Sequence, residues 1–335
     1  MTGEQGGRTA TVRGSADSPP TIRHMARVVM VLSENWTLTS PRDLPALVEL
    51  AVAAERAGVD TVMLSEHVVL GPSAGAAGRM QNPRDYAAPG NQDPATPWPD
   101  SLVLASAIAA ATTRLRVALA AVIAPLRHPL LLAKQLGTLD LLAEGRLVVQ
   151  PTVSWAAEEY AALGVPFHHR GAILDEGLAA MRAAWTQSPA AFTGRWFSFA
   201  NVYCEPKPHR PGGPAMWFGG QSLHPAIARR IAAYGSGFHP FGTPSDADLE
   251  ALAQTMSAAG RDAAELELVG GIRGRFPGPD AVADLDEALR AVPGQIARGF
   301  TSICFKPSMF TDDVAVVGDV CRRVVTAVRA AAAGA

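Results

Sequence analysis

The chain has 335 residues, of which 48% are hydrophobic and 18% charged, and its formal net charge at pH 7 is −2. A chain of this size can bury a large core in one domain, whereas so small a net charge provides no basic field for nucleic acid. We therefore expect a small-molecule partner. The three cysteines (Cys204, Cys304 and Cys321) are far apart and form no CxxC pair, which argues against a disulfide framework or zinc site and favours the cytoplasm.

The first 24 residues are polar, rich in Gly, Ser, Thr and Pro, and lack the apolar centre of a signal peptide. They predict a disordered N-terminal tail, followed by a single domain at 25–335. No apolar run reaches the roughly 18 residues of a membrane span, so no membrane association is expected.

From residue 27 onward, short strand-like runs alternate with longer helical patterns. The strand-like runs are 27–32, 61–65, 116–124, 146–150, 214–218, 236–239, 266–272 and 300–305. The helical patterns are 43–57, 101–111, 128–143, 156–163, 171–187, 223–234, 246–259, 280–298 and 312–333. Such alternation predicts parallel strands joined by crossover helices.

Eight strands are the number that a (β/α)8 TIM barrel requires. The alternative is a doubly wound open sheet, which typically has a Gly-rich turn after its first strand. Here the first strand leads into Ser33-Glu34-Asn35-Trp36, without a glycine, so the barrel is favoured. Asp43 and Asp246 are expected helix N-caps, and Gly58 and Gly260 are expected to follow helix ends.

Two regions interrupt the alternation. Residues 71–100 are rich in Gly, Pro and Asn and are too long for an ordinary loop, which predicts a lid or an insertion after strand 2. Residues 188–213 contain several aromatic residues and a Pro-rich stretch, which predicts a hairpin or loop insertion before strand 5.

Glu66 and His67 end the second strand-like run, where a barrel strand opens onto the active-site face. A histidine there can exchange a proton near neutral pH, and a nearby carboxylate can fix its tautomer. The alternative is structural, with His67 satisfying a local backbone group and Glu66 pairing with a neighbouring helix.

Gly219, Gly220, Gln221 and Ser222 lie between a strand and a helix, where backbone N–H groups and the helix dipole attract a phosphate. A tight strand-to-helix connection requires the same residues, so both interpretations stay open.

The third and fourth strands also end in candidate site residues. Small residues around Ala121 and Val122 leave room for a flat ring, or simply form a barrel core closed by a proline turn. Gln150, Thr152 and Ser154 alternate along an extended segment and so share one face, which lines a polar cleft or faces solvent.

Other catalytic templates are absent. The sequence contains no GxGxxG, GxxxxGK[ST] or HExxH motif, and no histidine pair has the helical i, i+4 spacing of metal ligands. No metal site is expected.

In their order along the chain, these segments resemble the luciferase-like monooxygenase superfamily of flavin and deazaflavin oxidoreductases. The most distinctive pieces are Ser65-Glu66-His67, Pro125-Leu-Arg-His-Pro, Glu144-Gly-Arg-Leu, Glu158-Glu-Tyr with Leu163-Gly-Val-Pro-Phe, and Trp217-Phe-Gly-Gly-Gln-Ser. The opening part is most similar to the branch that uses coenzyme F420, a deazaflavin. The resemblance implies a TIM barrel with a flavin-type ring at the carboxyl ends of its strands.

The resemblance also implies roles for individual residues. His67 is expected to exchange a proton during hydride transfer, with Glu66 orienting it. A bulge with a non-proline cis peptide is expected at Ala121-Val122, behind the ring. The cofactor phosphate is expected at Gly219–Ser222. One departure is that Gln150, Thr152 and Ser154 occupy positions where the family usually has a glycine-rich run.

Three functions follow as hypotheses. The first is hydride transfer between a small organic substrate and coenzyme F420. The second is an FMN-dependent monooxygenase that uses reduced FMN and dioxygen and is supplied by a flavin reductase. The third is a non-catalytic flavin- or ligand-binding barrel. Trp36, Trp98 and Trp155 are candidate walls of the substrate pocket, and the resemblance alone implies a homodimer.

Overall fold

A computed structural model describes residues 26–334 of the chain. The predicted tail at 1–24 and the predicted domain start at residue 25 lie outside the described residues. Eight strands, each parallel to its neighbours, close into a barrel in the order β1-β10-β9-β8-β7-β4-β3-β2. The predicted (β/α)8 TIM barrel is thereby confirmed.

All eight predicted barrel strands are present, and no strand end differs from its prediction by more than two residues. The barrel strands are β1 (Arg27–Val31), β2 (Thr61–Leu64), β3 (Arg116–Ile123), β4 (Leu147–Thr152), β7 (Ala215–Phe218), β8 (Gly237–Phe238), β9 (Glu267–Gly271) and β10 (Ser302–Phe305). The remaining two strands, β5 (Ala190–Thr193) and β6 (Ser198–Val202), form an antiparallel hairpin in the predicted insertion before the fifth barrel strand.

The helices lie between the strands. They are α1 (Leu44–Arg56), α2 (Ser101–Ala111), α3 (Pro129–Leu142), α4 (Ala157–Ala162), α5 (Arg170–Thr186), α6 (Pro225–Tyr234), α7 (Asp246–Ala258), α8 (Leu285–Leu289), α9 (Val292–Ala297) and α10 (Val317–Gly334). The single helix predicted at 280–298 is wrong, because a proline in the first turn of α9 separates it from α8.

Helix ends follow the predicted capping residues with one exception. Asp43 caps α1 by accepting a hydrogen bond from the amide of Ala46, as expected. The predicted cap Asp246 is instead the first helical residue of α7. Ser245 caps this helix, and Ser245 and Asp248 hydrogen-bond reciprocally in a capping box.

Strand residues alternate between two cores. In β1, Val29 and Val31 point into the barrel, whereas Val28 and Met30 pack against the surrounding helices. Trp217 lies inside the barrel and is fully buried. The barrel is therefore a packed core, and a ligand has to bind at its mouth.

The amino-terminal end of the barrel is closed by an ion-pair cluster around Glu267. Both oxygens of this carboxylate accept hydrogen bonds from the Arg116 guanidinium at 2.9 Å, and Ser302 Oγ donates to one of them at 2.5 Å. Because these residues begin three different strands, the cluster ties the strands together at the end opposite the mouth.

The insertion after β2 runs across the carboxyl end of the barrel. We call residues 71–100 the strap; apart from a short 3-10 turn at Pro72–Gly75 it is irregular. Asn82 donates to two carbonyls in the loop after β9, and Arg84 pairs with Asp312 in the loop after β10. The side chain of Tyr86 packs against the core inside the barrel. The strap therefore covers part of the mouth.

Candidate active site

The imidazole of His67 lies among three tryptophans at the barrel mouth. His67 follows β2, and its ring centroid is 5.2 Å from that of Trp98 and 5.6 Å from that of Trp155, both in edge-on geometry. Trp36 contacts Trp98 in the same manner, at 5.7 Å. The structure thus brings together four residues that the sequence placed in three separate βα loops and at one strand end. All three tryptophans are only half-buried, so they form a wall that a ligand can reach.

Glu66 is not hydrogen-bonded to His67, so it does not orient the imidazole by direct contact, contrary to the expectation from the sequence. The Glu66 side chain is only 1% exposed. Its carboxylate accepts hydrogen bonds from both terminal nitrogens of Arg127, at 2.7 and 2.9 Å. Ser101 Oγ and the amide of Ile123 complete its hydrogen bonds. Glu66 therefore joins β2 to β3 and to the starts of α2 and α3, which is the structural alternative considered above.

The carboxylate nearest His67 belongs to Glu159, which the sequence reasoning did not single out. Glu159 Oε2 is 3.6 Å from His67 Nδ1, and its side chain is fully buried. Its other oxygen accepts hydrogen bonds from the amides of Val68 and Val69. In the sequence, Glu159 appeared only within the Glu158-Glu-Tyr motif of the family resemblance. That motif did not indicate which residue either carboxylate would contact.

The end of β3 carries the expected bulge, one residue earlier than predicted. The register between β3 and β4 shifts between Ala120 and Val122, and the cis peptide bond joins Ala120 to Ala121 instead of Ala121 to Val122. Ala121 is half-buried. Val122 is fully buried in the core between strands and helices, so its side chain does not line the mouth.

The three polar residues Gln150, Thr152 and Ser154, at the end of β4 and just after it, have different surroundings. Gln150 is buried, and its Oε1 lies 2.8 Å from Nδ1 of His239 at the end of β8. Burial lowers the pKa of His239 to about 4, so this histidine is neutral near pH 7. Gln150 lies on the same strand face as Val148, which points into the barrel, and its amide oxygen is engaged by His239 there. Thr152 is half-buried at the end of β4.

Ser154 keeps the backbone conformation of a glycine. Its φ is +54°, in the left-handed region that favours glycine, at a position where the resemblance led us to expect glycine. Its Oγ lies 3.3 Å from Glu159 Oε2, to which it donates. Ser154 thus has a glycine-like backbone and places a hydroxyl beside the carboxylate that faces His67.

The loop after β7 combines a structural glycine with open backbone amides. A Cβ on Gly219 would lie 1.7 Å from the carbonyl oxygen of His239, so the barrel wall itself requires glycine there. The amides of Gly220, Gln221 and Ser222 donate no hydrogen bond to any residue in the described part of the chain. These three N–H groups lie in the loop that leads into α6, with two residues between Ser222 and the helix start at Pro225, and free amides near a helix N-terminus suit an anion.

Lys306 and Glu34 are buried charged residues at the mouth that the sequence reasoning also missed. Lys306 follows β10 and is fully buried; its Nζ donates to the carbonyl of Asp85 at 2.6 Å and lies 5.4 Å from the ring centre of Trp36. Burial lowers the pKa of Lys306 to about 8, although the nearby negative charge of Glu34 acts to raise it. The sequence feature that could have pointed to this residue is a lysine placed directly after the last apolar strand. Through its contacts with Asp85 and Trp36, Lys306 links the strap to the tryptophan wall.

The sequence predicts neither a metal site nor a membrane span, and residues 26–334 can be compared with both expectations. Within that range, no group of three or more His, Cys, Asp or Glu side chains has the geometry of a metal site. No helix there is long and apolar enough to cross a membrane.

The sequence model of the luciferase-like monooxygenase family matches residues 25–291. The chain belongs to this family. An uncharacterized protein of Mycobacterium tuberculosis is 33% identical over 229 residues, which cover 65% of this chain and 72% of that protein.

Luciferase-like proteins with either cofactor are similar to this chain. An FMNH2-dependent dimethylsulfone monooxygenase of Pseudomonas putida is 32% identical over 126 residues, 37% of this chain and 34% of that protein. An F420-dependent secondary alcohol dehydrogenase, solved with an F420-acetone adduct, superimposes with a TM-score of 0.69 over 90% of this chain and 99% of that chain. At 16% identity this likeness shows the fold alone. The choice of cofactor is therefore left open, and the homodimer and cytoplasmic location stay predictions.

Proposed function

We propose that this luciferase-like protein transfers hydride between a small organic substrate and coenzyme F420, with His67 exchanging the accompanying proton. The observation that carries the proposal is the position of His67, which stands at a strand end of the barrel mouth within a wall of Trp36, Trp98 and Trp155. Oxidation of an alcohol releases a hydride from carbon and a proton from oxygen. An imidazole can accept that proton near neutral pH.

The residues at the mouth fit a cofactor of this class. The free amides of Gly220, Gln221 and Ser222 suit its phosphate, and the half-buried Ala121 leaves room beside the end of β3. When bound, a deazaflavin ring supplies a hydride donor or acceptor at carbon 5. The protein's part is to hold the phosphate, to exclude water with the tryptophans and the strap, and to move one proton at His67.

An FMN-dependent monooxygenase is the second candidate. It is supported by the 32% identity with the FMNH2-dependent dimethylsulfone monooxygenase. A deazaflavin has carbon at position 5 and reacts poorly with dioxygen, so oxygenation requires FMN. In that case we expect a flavin reductase as a partner. The third hypothesis, a non-catalytic binding barrel, rests on the polar residues Gln150, Thr152 and Ser154.

Equilibrium titration of the purified protein with coenzyme F420 and with FMN separates the three functions. The proposal predicts that F420 binds more tightly than FMN, and that His67→Ala binds F420 as tightly as the unmodified chain. Tight FMN binding without F420 binding would overturn it in favour of the monooxygenase. Binding of neither cofactor would favour the non-catalytic barrel.

A further inference from the structure

We propose that Glu159 is the positioning residue for His67: one of its oxygens fixes the backbone after His67, and the other faces Nδ1. The imidazole then presents an unprotonated Nε2 to the ligand. The inference deepens the proposed function, because it rests on His67 as the proton partner at the barrel mouth.

The backbone contact comes from Glu159 Oε1. This oxygen accepts the amide of Val68 at 2.6 Å and that of Val69 at 3.3 Å, and these are the two residues that follow His67. The Glu159 side chain is fully buried, and a buried carboxylate is costly unless it is hydrogen-bonded. The two amides supply that compensation, and hydrogen bonds to an ionised acceptor are the stronger kind. The path of the chain after His67 is thereby tied to α4.

The contact with the ring comes from Glu159 Oε2. His67 Nδ1 is buried and has no hydrogen-bond partner among the described residues, and this oxygen lies 3.6 Å away. That distance exceeds a hydrogen bond in this structure. Buried polar atoms are nearly always paired, and catalytic hydrogen bonds often tighten only when a ligand binds. A short ring movement would let Nδ1–H donate to Glu159.

Neighbouring groups leave Glu159 as the acceptor for Nδ1. The oxygens of Glu66 are occupied by Arg127, Ser101 and the amide of Ile123. The rings of Trp98 and Trp155 both contact the imidazole, and an indole offers no hydrogen-bond acceptor. A carboxylate can only accept hydrogen bonds, so it favours the proton on Nδ1 and leaves Nε2 free.

Glu159→Gln is the sharpest test, because it keeps the side-chain volume. The amide oxygen is expected to stay with the amides of Val68 and Val69, which places the NH2 group opposite Nδ1. A donor in that position favours the Nε2–H tautomer, in which His67 cannot accept a proton at Nε2. Glu158→Gln is the matched control, because Glu158 is the preceding residue of α4 and binds Ser73, not His67.

The measurement is the pair of 15N chemical shifts of the His67 ring in the ligand-free protein, assigned by the loss of its signals in His67→Ala. The spectra are recorded at a pH high enough for the ring to be neutral. The unmodified chain and Glu158→Gln are expected to carry the His67 ring proton on Nδ1, and Glu159→Gln to carry it on Nε2. Turnover with cofactor should fall by roughly 10²-fold in Glu159→Gln, with cofactor affinity unchanged.

Two results would overturn the inference: the proton on Nε2 in the unmodified chain, or the same tautomer in Glu159→Gln as in the unmodified chain. The spectrum of the unmodified chain decides even if the variant does not fold. Because the spectra need no cofactor, they separate this inference from the proposed function. The expected tautomers together with no F420 binding would leave Glu159 as the positioning residue and remove the F420 assignment.

Discussion

Arg127 donates two hydrogen bonds to the Glu66 carboxylate, from Nη1 to Oε1 at 2.7 Å and from Nη2 to Oε2 at 2.9 Å. The pair is nearly excluded from solvent, with side-chain exposures of 14% and 1%. Glu66 is next to His67 in sequence, yet its side chain holds β2 to the end of β3 and the start of α3. Glu66 therefore has a structural role, whereas its neighbour His67 is the residue to which we assign the proton transfer.

Glu66→Gln should therefore act on stability. Removing one partner of a buried ion pair leaves the other charge uncompensated, and we expect a loss of about 3 kcal/mol in the free energy of unfolding. Urea unfolding followed by circular dichroism measures it. At a temperature where the variant is folded, its turnover should stay within a few-fold of the unmodified chain. A stable variant with turnover as low as that of His67→Ala would return Glu66 to the chemistry.

Glu267→Gln should weaken the opposite end of the barrel and change its acid sensitivity. Burial tends to raise the pKa of Glu267, but hydrogen bonds and charge from Arg116, with a further bond from Ser302, hold it below its ordinary value of 4.5. A lowered pKa stabilises the fold above the ordinary value, and this contribution is lost as the pH falls below 4.5. Denaturation midpoints at pH 7 and pH 4 should differ less in the variant. An equal difference in both proteins would contradict the argument.

Lys306→Met should change stability at alkaline pH in a defined direction. The folded chain lowers the pKa of Lys306 from 10.5 to about 8, so between these values the unfolded chain binds more protons. The lysine's unfavourable contribution therefore shrinks as the pH rises from 7 to 10, by an amount on the order of 2 kcal/mol. The stability difference between variant and unmodified chain should shift by that amount in favour of the unmodified chain. A difference that does not vary with pH would show that the lysine titrates normally.

Gly219→Ala and Gly220→Ala form a matched pair for the loop after β7. A methyl group on Gly219 meets a backbone carbonyl at 1.7 Å, whereas on Gly220 it meets only the flexible end of Ile227 at 2.9 Å. We expect Gly219→Ala to lower the melting temperature sharply and Gly220→Ala to fold nearly normally. Gly220→Val should then bind the cofactor more weakly, because it crowds the open amides. An unchanged dissociation constant would mean that the loop is purely structural.

Much of the fold follows from local pattern, because each barrel strand is a short apolar run bounded by turn residues. The gathering of His67 with Trp98 and Trp155 follows as well, since the βα loops of a barrel converge at one end. Partner choice is different. Glu159 contacts an amide 91 residues away, and Arg127 lies 61 residues from Glu66. Such pairings depend on barrel register and loop path, which the spacing of residues along the chain does not encode.

The polar run after β4 shows the same limit. Alternation predicted a shared face for Gln150, Thr152 and Ser154, but the strand ends at Thr152 and the backbone turns left-handed at Ser154. Gln150 is instead hydrogen-bonded to His239, which follows β8 and lies 89 residues later in the chain. The sequence marked these three positions as unusual only through the family resemblance, and the structure shows that two of the three side chains have partners within the protein.

The central claim is that His67 exchanges the proton that accompanies hydride transfer to or from coenzyme F420. Single-turnover measurements should follow the absorbance of the bound cofactor with a panel of small alcohols and ketones, in the unmodified chain and in His67→Ala. The account predicts a rate roughly 10²–10⁴-fold lower in the variant, with an unchanged dissociation constant for F420. Equal rates in the two proteins would contradict it.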